Sequence, residues 1–317
     1  MTSTARRLAA ALFLAIVSVA SAADAPPDVA VMVARLDLAA GKVSDVRNIT
    51  PGKGNNFQPA FTPDSAAVVY TSGRSGSNNI FRYDLAKGMT TAVTATAENL
   101  YSPTPLADGS GFSAIRVITA DPAYGIEMNE PSLWLFSWDG KPVAPVVATK
   151  RIGYHAWINP DLLAAFIVDD VPQRNEHRAV LIQRTNGQQT LLTTKPGRSL
   201  GRTADGKRAT FVDQTDPKRW VITTMGIGDA KPQVLVETPP LPEGDKETNR
   251  SQYFVWLPDG SMLMARGHLL LRWDGKPGGG FKPFADLPEL SGAIRNIAAS
   301  ADGQRLAFSV LLTPPKP

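Results

Sequence analysis

The sequence predicts an all-β fold, a six-bladed β-propeller closed by an N-terminal strand pair, and three observations carry that prediction. Six times an apolar stretch runs into a tight turn built on an Asp, at Asp64, Asp108, Asp161, Asp205, Asp259 and Asp302, and a second apolar stretch follows. The gaps between these Asps are 44, 53, 44, 54 and 43 residues, the period of one four-stranded blade. The last unit has only two clear strands, ending near Leu312, and segment 29–50 reads as its missing half.

Each unit decomposes in the same order. An inner strand precedes the Asp turn, as in Pro59-Ala60-Phe61 and Phe254-Val255-Trp256. A second strand follows it, as in Ala67–Tyr70, Leu163–Val168 and Arg305–Phe308. These β-branched or aromatic runs, bounded by Gly, Asp and Pro, mark short buried strands. A third strand alternates, as in Ile80–Asp84, Leu133–Trp138 and Leu269–Trp273. The fourth is shorter and more polar, as in Thr190–Thr194, which suits an outer edge. Closure pairs a third strand at Val31–Leu36 and a fourth at Val43–Ile49 with the last unit, so that one blade joins both chain ends. The Asps themselves are read as structural, because Asp or Asn followed by Gly supplies the positive backbone angles of a two-residue hairpin turn.

The N-terminus reads as a secretory signal over residues 1–22. Arg6 and Arg7 form its positive region, Leu8 to Val19 the apolar one, and Ala20-Ser21-Ala22 a small-residue cleavage site. A dozen apolar residues fall short of the roughly 20 that span a bilayer. The expected organisation is therefore a signal peptide, a short linker at 23–28, the propeller at 29–312 and a tail at 313–317, with no membrane insertion after cleavage. There is no Cys, which excludes disulfides and thiolate metal sites. Cleavage removes Arg6 and Arg7 and no acid, lowering the formal charge of +4 by two. A near-neutral chain speaks against a nucleic-acid partner, which needs a concentrated basic surface.

The first unit, Phe57-Gln58-Pro59-Ala60-Phe61-Thr62-Pro63-Asp64-Ser65 followed by Val69-Tyr70-Thr71-Ser72-Gly73-Arg74-Ser75-Gly76 and Asn79-Ile80-Phe81, closely resembles the propeller repeat of the TolB family. Ile115-Arg116-Val117, Gly153-Tyr154-His155-Ala156-Trp157 and Gly197-Arg198-Ser199-Leu200 look like secreted TolB-like propellers. The resemblance implies a propeller in the periplasm or outside the cell, and TolB itself belongs to an envelope-spanning Tol–Pal system. TolB carries a separate α/β domain before its propeller, whereas residues 23–28 alone are expected between signal and first strand here. Similar repeats also cap prolyl oligopeptidase-type enzymes, whose hydrolase domain this chain has no room for.

Loops entering the inner strands of a propeller gather around one mouth of the central channel. Counting six residues back from each turn Asp gives Gln58, Ser102, His155, Ser199, Tyr253 and Asn296, and counting seven gives Phe57, Tyr101, Tyr154, Arg198, Gln252 and Arg295. Neither set holds a carboxylate. The residues taken as ligand-binding at the mouth are Gln58, Tyr101, Tyr154, His155, Arg198, Tyr253 and Arg295, whose Arg forks and aromatic faces suit an anionic or sugar-like group or a peptide terminus. His155 reads either as an acid–base group at the mouth or as a packed His beside Trp157 whose nitrogens meet backbone. Tyr101 and Tyr253 read equally well as plugs of the channel.

The two long gaps hold insertions at Asp121–Pro131 and Pro239–Arg250, acidic loops suited to protein contact if they act at all. Gly197-Arg198-Ser199-Leu200-Gly201 matches a nucleophile elbow, yet the hairpin turn at Asp205 follows immediately, so no catalytic residue is assigned. Three His (His155, His177, His268) at no ligand spacing leave no metal site expected. A calcium cluster at Asp169, Asp170 and Glu176 would compete with Arg174, His177 and Arg178. No cofactor is expected. The sequence thus favours a non-enzymatic periplasmic or secreted binding module for an envelope protein, peptide or glycan. A small-molecule hydrolase or lyase using Tyr154, His155 and Arg198 in the mouth is the alternative, and a purely structural envelope role is the third.

Overall fold

The structure, a computed structural model, describes residues 28–312 apart from 53, 119–122, 124–128, 169–175 and 241–251. Its twenty-four strands form six four-stranded antiparallel sheets arranged as the blades of a propeller. Blade 1 holds β3 (Asn56–Phe61), β4 (Ala67–Ser72), β5 (Asn79–Asp84) and β6 (Met89–Ala92). Blade 2 holds β7 (Asn99–Pro105), β8 (Gly111–Val117), β9 (Pro131–Ser137) and β10 (Pro142–Lys150). Blade 3 holds β11 (Ile152–Asn159), β12 (Leu162–Val168), β13 (His177–Gln183) and β14 (Gln189–Thr193). Blade 4 holds β15 (Pro196–Arg202), β16 (Ala209–Asp213), β17 (Val221–Met225) and β18 (Gln233–Glu237). Blade 5 holds β19 (Phe254–Trp256), β20 (Met262–Arg266), β21 (Leu269–Trp273) and β22 (Lys282–Asp286).

Blade 6 closes the ring as the sequence predicts. Its order is β2-β1-β24-β23, pairing β1 (Val29–Asp37) and β2 (Lys42–Asn48) with β23 (Ile294–Ala299) and β24 (Arg305–Leu311). β1 and β24 are in continuous register from Val29 opposite Leu311 to Arg35 opposite Arg305. Leu312 N–H donates to the Asp28 carbonyl at 2.8 Å, extending the ladder beyond both strands.

The core is not one mass but six apolar layers, one at each junction between neighbouring blades. Blades 2 and 3, for example, share Ile115, Leu133 and Val146 with Ile152, Leu163 and Val180. Blades 6 and 1 share Val31, Val33 and Ala307 with Val68, Tyr70 and Phe81. A second or third strand therefore has apolar neighbours on both faces. This explains why β4 is buried at all six positions and reads as an apolar run from Ala67 to Tyr70. The fourth strands have one outer face, and the mixed exposure of β6 follows.

The Asp turns differ in detail from the two-residue hairpin expected. In blade 1 the Ser65 N–H donates to the Thr62 carbonyl at 2.8 Å, and only Ser65 takes a positive φ, at 56°. Asp64 Oδ1 accepts from the Ala66 N–H at 3.0 Å and the Thr62 hydroxyl at 2.6 Å. This is a four-residue turn capped by an Asp and ended by one left-handed residue. That residue is Gly109, Gly206, Gly260 or Gly303 in four other units. In the third unit the cap is Asn159, whose Oδ1 accepts from Asp161 N–H at 3.0 Å. Hydrogen bonding to the carboxylate holds the Asp64, Asp108, Asp205 and Asp302 carboxyls below their ordinary range, consistent with a structural role.

Candidate functional site

The inner strands are bulged where they reach the channel. Pairing register breaks between Phe57 and Ala60, between Tyr101 and Thr104, between Ile152 and Tyr154, between Pro196 and Leu200 and between Ile294 and Ile297. A bulge adds a residue to one strand and re-aims its side chain. Gln58 and Ser102 occupy two of these bulges with φ of 56° and 52°, a left-handed conformation that costs a non-glycine residue about 1–2 kcal/mol. In blade 4 the bulge packs closely. A Cβ on Gly197 would lie 2.8 Å from Val212 Cβ, so only glycine fits beside Arg198.

Gln58, Ser102, His155, Ser199, Tyr253 and Asn296, one residue from each blade, gather around a central cavity of about 160 Å3 that Tyr154 and Arg198 also line. Polar contacts link all six blades around it. Ser102 N–H donates to Gln58 Oε1 at 2.8 Å, and Gln58 N–H donates to Asn296 Oδ1 at 3.3 Å. The Asn296 side chain hydrogen-bonds to Tyr253, and Tyr253 to Tyr154. The Arg198 guanidinium stands 5.9 Å from the centre of the Tyr154 ring, within cation–π range. Burial raises the Tyr253 phenol well above the ordinary tyrosine pKa, so it stays a neutral hydrogen-bonding group. Among the described residues Arg198 is the one formal charge on the cavity wall, and no carboxylate lines it.

His155 is 9% exposed, and its Nε2 lies 2.7 Å from Ser113 Oγ in blade 2. The Trp157 indole N–H donates to the same oxygen at 2.9 Å. The ring nitrogen thus meets a side-chain hydroxyl rather than backbone. Among the described residues Nδ1 has no hydrogen-bond partner. Burial lowers the His155 pKa to about 3, because the charged form would be stripped of water. The imidazole is neutral at any ordinary pH.

The structure does not bring Tyr101 or Arg295 to the cavity wall. The Tyr101 hydroxyl accepts from Asn78 Nδ2 at 3.0 Å, and its ring lies 6.2 Å from Phe57 between blades 1 and 2. Gln252 is buried, with Oε1 accepting from Arg266 Nη2 at 3.1 Å. Ser199, in the elbow-like motif, is buried and ties blade 4 to blade 5, accepting from Phe254 N–H at 3.1 Å. His268 pairs with Asp286 at 2.6 Å on blade 5. Among the described residues no three His, Asp or Glu gather as metal ligands. Residues 121, 122 and 124–128 of the first acidic insertion and 241–250 of the second lie outside the described residues, as do Asp169 and Asp170, and Glu130 of the first pairs with Lys150 at 3.6 Å. Sequence reasoning missed Ser113, a second-strand Ser with no mark beyond its burial.

The blade count and the strand-pair closure define a six-bladed β-propeller, a fold this chain shares with TolB proteins. The structure is similar to a protein described as TolB from Agrobacterium tumefaciens, at TM-score 0.64 and 14% identity over 90% of this chain and 99% of that one. TolB from Acinetobacter baumannii superposes at TM-score 0.53 with 16% identity, over 88% of this chain and 63% of that one. A gluconolactonase from Xanthomonas campestris, XC5397, superposes at TM-score 0.58 with 13% identity, over 91% of this chain and 96% of that one. No protein-family model and no curated protein matches the sequence.

Proposed function

We propose that this chain is a non-enzymatic TolB-like propeller, exported through the signal at 1–22 to the periplasm or beyond, that binds an envelope protein, peptide or glycan at its central mouth. The observation that carries the reading is the polar girdle around the cavity, drawn from all six blades, with Arg198 as its one charge. Sites for drug-sized small molecules run to roughly 300–1,000 Å3. A cavity of about 160 Å3 instead fits a protruding group of a larger partner, such as a terminal carboxylate or an acidic side group. The uncompensated guanidinium supplies the fork for such an anion. The nitrogen and hydroxyl positions of His155, Tyr154 and Tyr253 add neutral contacts around it.

The chemistry of His155 also favours binding over turnover. A general base works best with a pKa near the working pH, and one lowered to about 3 is a weak proton acceptor with no carboxylate to orient it. The second reading, a hydrolase or lyase acting in the mouth, draws support from the likeness to a gluconolactonase and from the unengaged His155 Nδ1. Capture from crosslinked envelopes with wild type and with Arg198→Ala plus Tyr154→Ala tests the first reading. A partner recovered by the first protein and lost by the equally stable second is expected. Equal recovery by both would remove the mouth from consideration. Turnover of a lactone by wild type that disappears in His155→Ala would favour the second reading.

A further inference from the structure

Arg198 lines a second cavity, a groove of about 220 Å3 where blade 3 meets blade 4. Its walls carry two cations, Lys195 and Arg198, and the aromatic groups Phe166, His177 and Trp220, with Pro196 and Pro217. No described carboxylate lines it, and neither Lys195 nor Arg198 has a carboxylate ion pair among the described residues. Asp213, next to the groove residue Gln214, spends Oδ1 on the hydroxyls of Thr193 and Thr215 at 3.0 and 2.6 Å and on Thr215 N–H at 3.0 Å.

The groove is built rather than incidental. Lys195 is fixed on both sides of its backbone, its N–H donating to Thr193 Oγ1 at 3.1 Å and its carbonyl accepting from Gln214 N–H at 2.8 Å. The Trp220 carbonyl is held by Thr238 through N–H at 2.9 Å and hydroxyl at 3.2 Å. The wall continues inward as a series of ring contacts. His177 lies 4.9 Å from Phe166, Phe166 meets Tyr154 edge-on at 5.5 Å, and Arg198 caps Tyr154. The packed rings lose little freedom on binding, and the backbone that carries Lys195 and Trp220 is fixed.

We propose that this groove binds a ring-bodied carboxylate of about one sugar unit, with Lys195 and Arg198 holding the carboxylate and Trp220 packing the ring. Lys195 and Arg198, three residues apart in the chain and with no carboxylate ion pair among the described residues, select an anion. The indole and proline walls select a flat body with an apolar face over a small inorganic ion. An acidic monosaccharide has both features. The site shares Arg198 with the mouth and is distinguished from it by Lys195 and Trp220, which do not line the central cavity.

Titration of the mature protein with glucuronate, followed by tryptophan fluorescence and assigned through Trp220→Phe, tests this. A saturable change in the millimolar range is expected with glucuronate and not with glucose. Lys195→Gln is expected to weaken it about tenfold, while Tyr253→Phe, which alters only the mouth, leaves it unchanged. Loss in Tyr253→Phe but not in Lys195→Gln would place binding in the mouth and overturn the groove site. An equal response to glucose, an equal response to inorganic phosphate, or no saturable response would also overturn the proposal.

Discussion

Gln58 Oε1 accepts the Ser102 backbone N–H at 2.8 Å, joining the bulge of blade 1 to the bulge of blade 2 across the channel wall. Both residues hold left-handed backbone, so each bulge carries strain that this contact helps to offset. Gln58→Ala removes the acceptor and keeps the strain, and should lower stability by about 1–3 kcal/mol. Gln58→Gly removes the same acceptor but relieves the backbone, and should cost about 1 kcal/mol less. Urea midpoints at constant m-value separate the two. Equal loss would mean that the bulge is not strained.

His155 makes stability depend on pH in a defined window. Burial lowers its folded pKa to about 3, while the unfolded chain titrates near 6.5. As pH falls below 6.5 the unfolded state takes up a proton that the folded state refuses, so stability drops by about 1.4 kcal/mol per pH unit. Between pH 7 and 5 the loss should approach about 2 kcal/mol and be absent in His155→Gln. The turn Asps, with lowered folded pKa values, withdraw their contribution only at more acid pH. A His155 ring-proton resonance, assigned by its loss in His155→Gln, that titrates near 6 in the folded wild type would contradict this.

Ser113 is fully buried, accepting from the Trp157 indole N–H and sharing a hydrogen bond with His155 Nε2. Ser113→Ala leaves these two groups unmatched, each unmatched group costing about 1–3 kcal/mol. The variant should be markedly less stable than Ser309→Ala, which loses one hydrogen bond, to Asn296 Oδ1 at 3.1 Å. Similar losses in the two would show that Ser113 does not organise its neighbours.

Most of the fold was legible because the Asp turns repeat at blade period and fix every strand by position. The same count reached the channel wall, since the six inner strands run the same length from mouth to turn. It succeeded six residues back from each Asp and only partly at seven. Of those, Tyr154 and Arg198 meet the cavity, while Tyr101 and Gln252 turn into contacts within and between blades. The bulges that decide this leave no mark in the sequence where Gln58 or Ser102, rather than Gly, takes the left-handed backbone. The groove was missed because Lys195 and Trp220 meet only through strand pairing between β16 and β17 and between β15 and β16.

β1 supplies the last blade with its third strand and packs apolar side chains against both neighbouring blades. Removal of residues 29–40 should therefore unfold the whole ring rather than fray one blade, since a free edge and two opened apolar layers result. A truncated protein that melts cooperatively at the wild-type temperature would show that closure does not hold the ring.

A photo-crosslinking side chain at Thr104, on the cavity wall, compared with one at Met89, on the exposed edge of blade 1, tests the mouth as the binding site most directly. Irradiation in intact envelopes should give one discrete adduct from position 104, reduced by Arg198→Ala, and none from position 89. The same adduct from position 89, or one from position 104 that survives Arg198→Ala unchanged, would contradict recognition through the mouth.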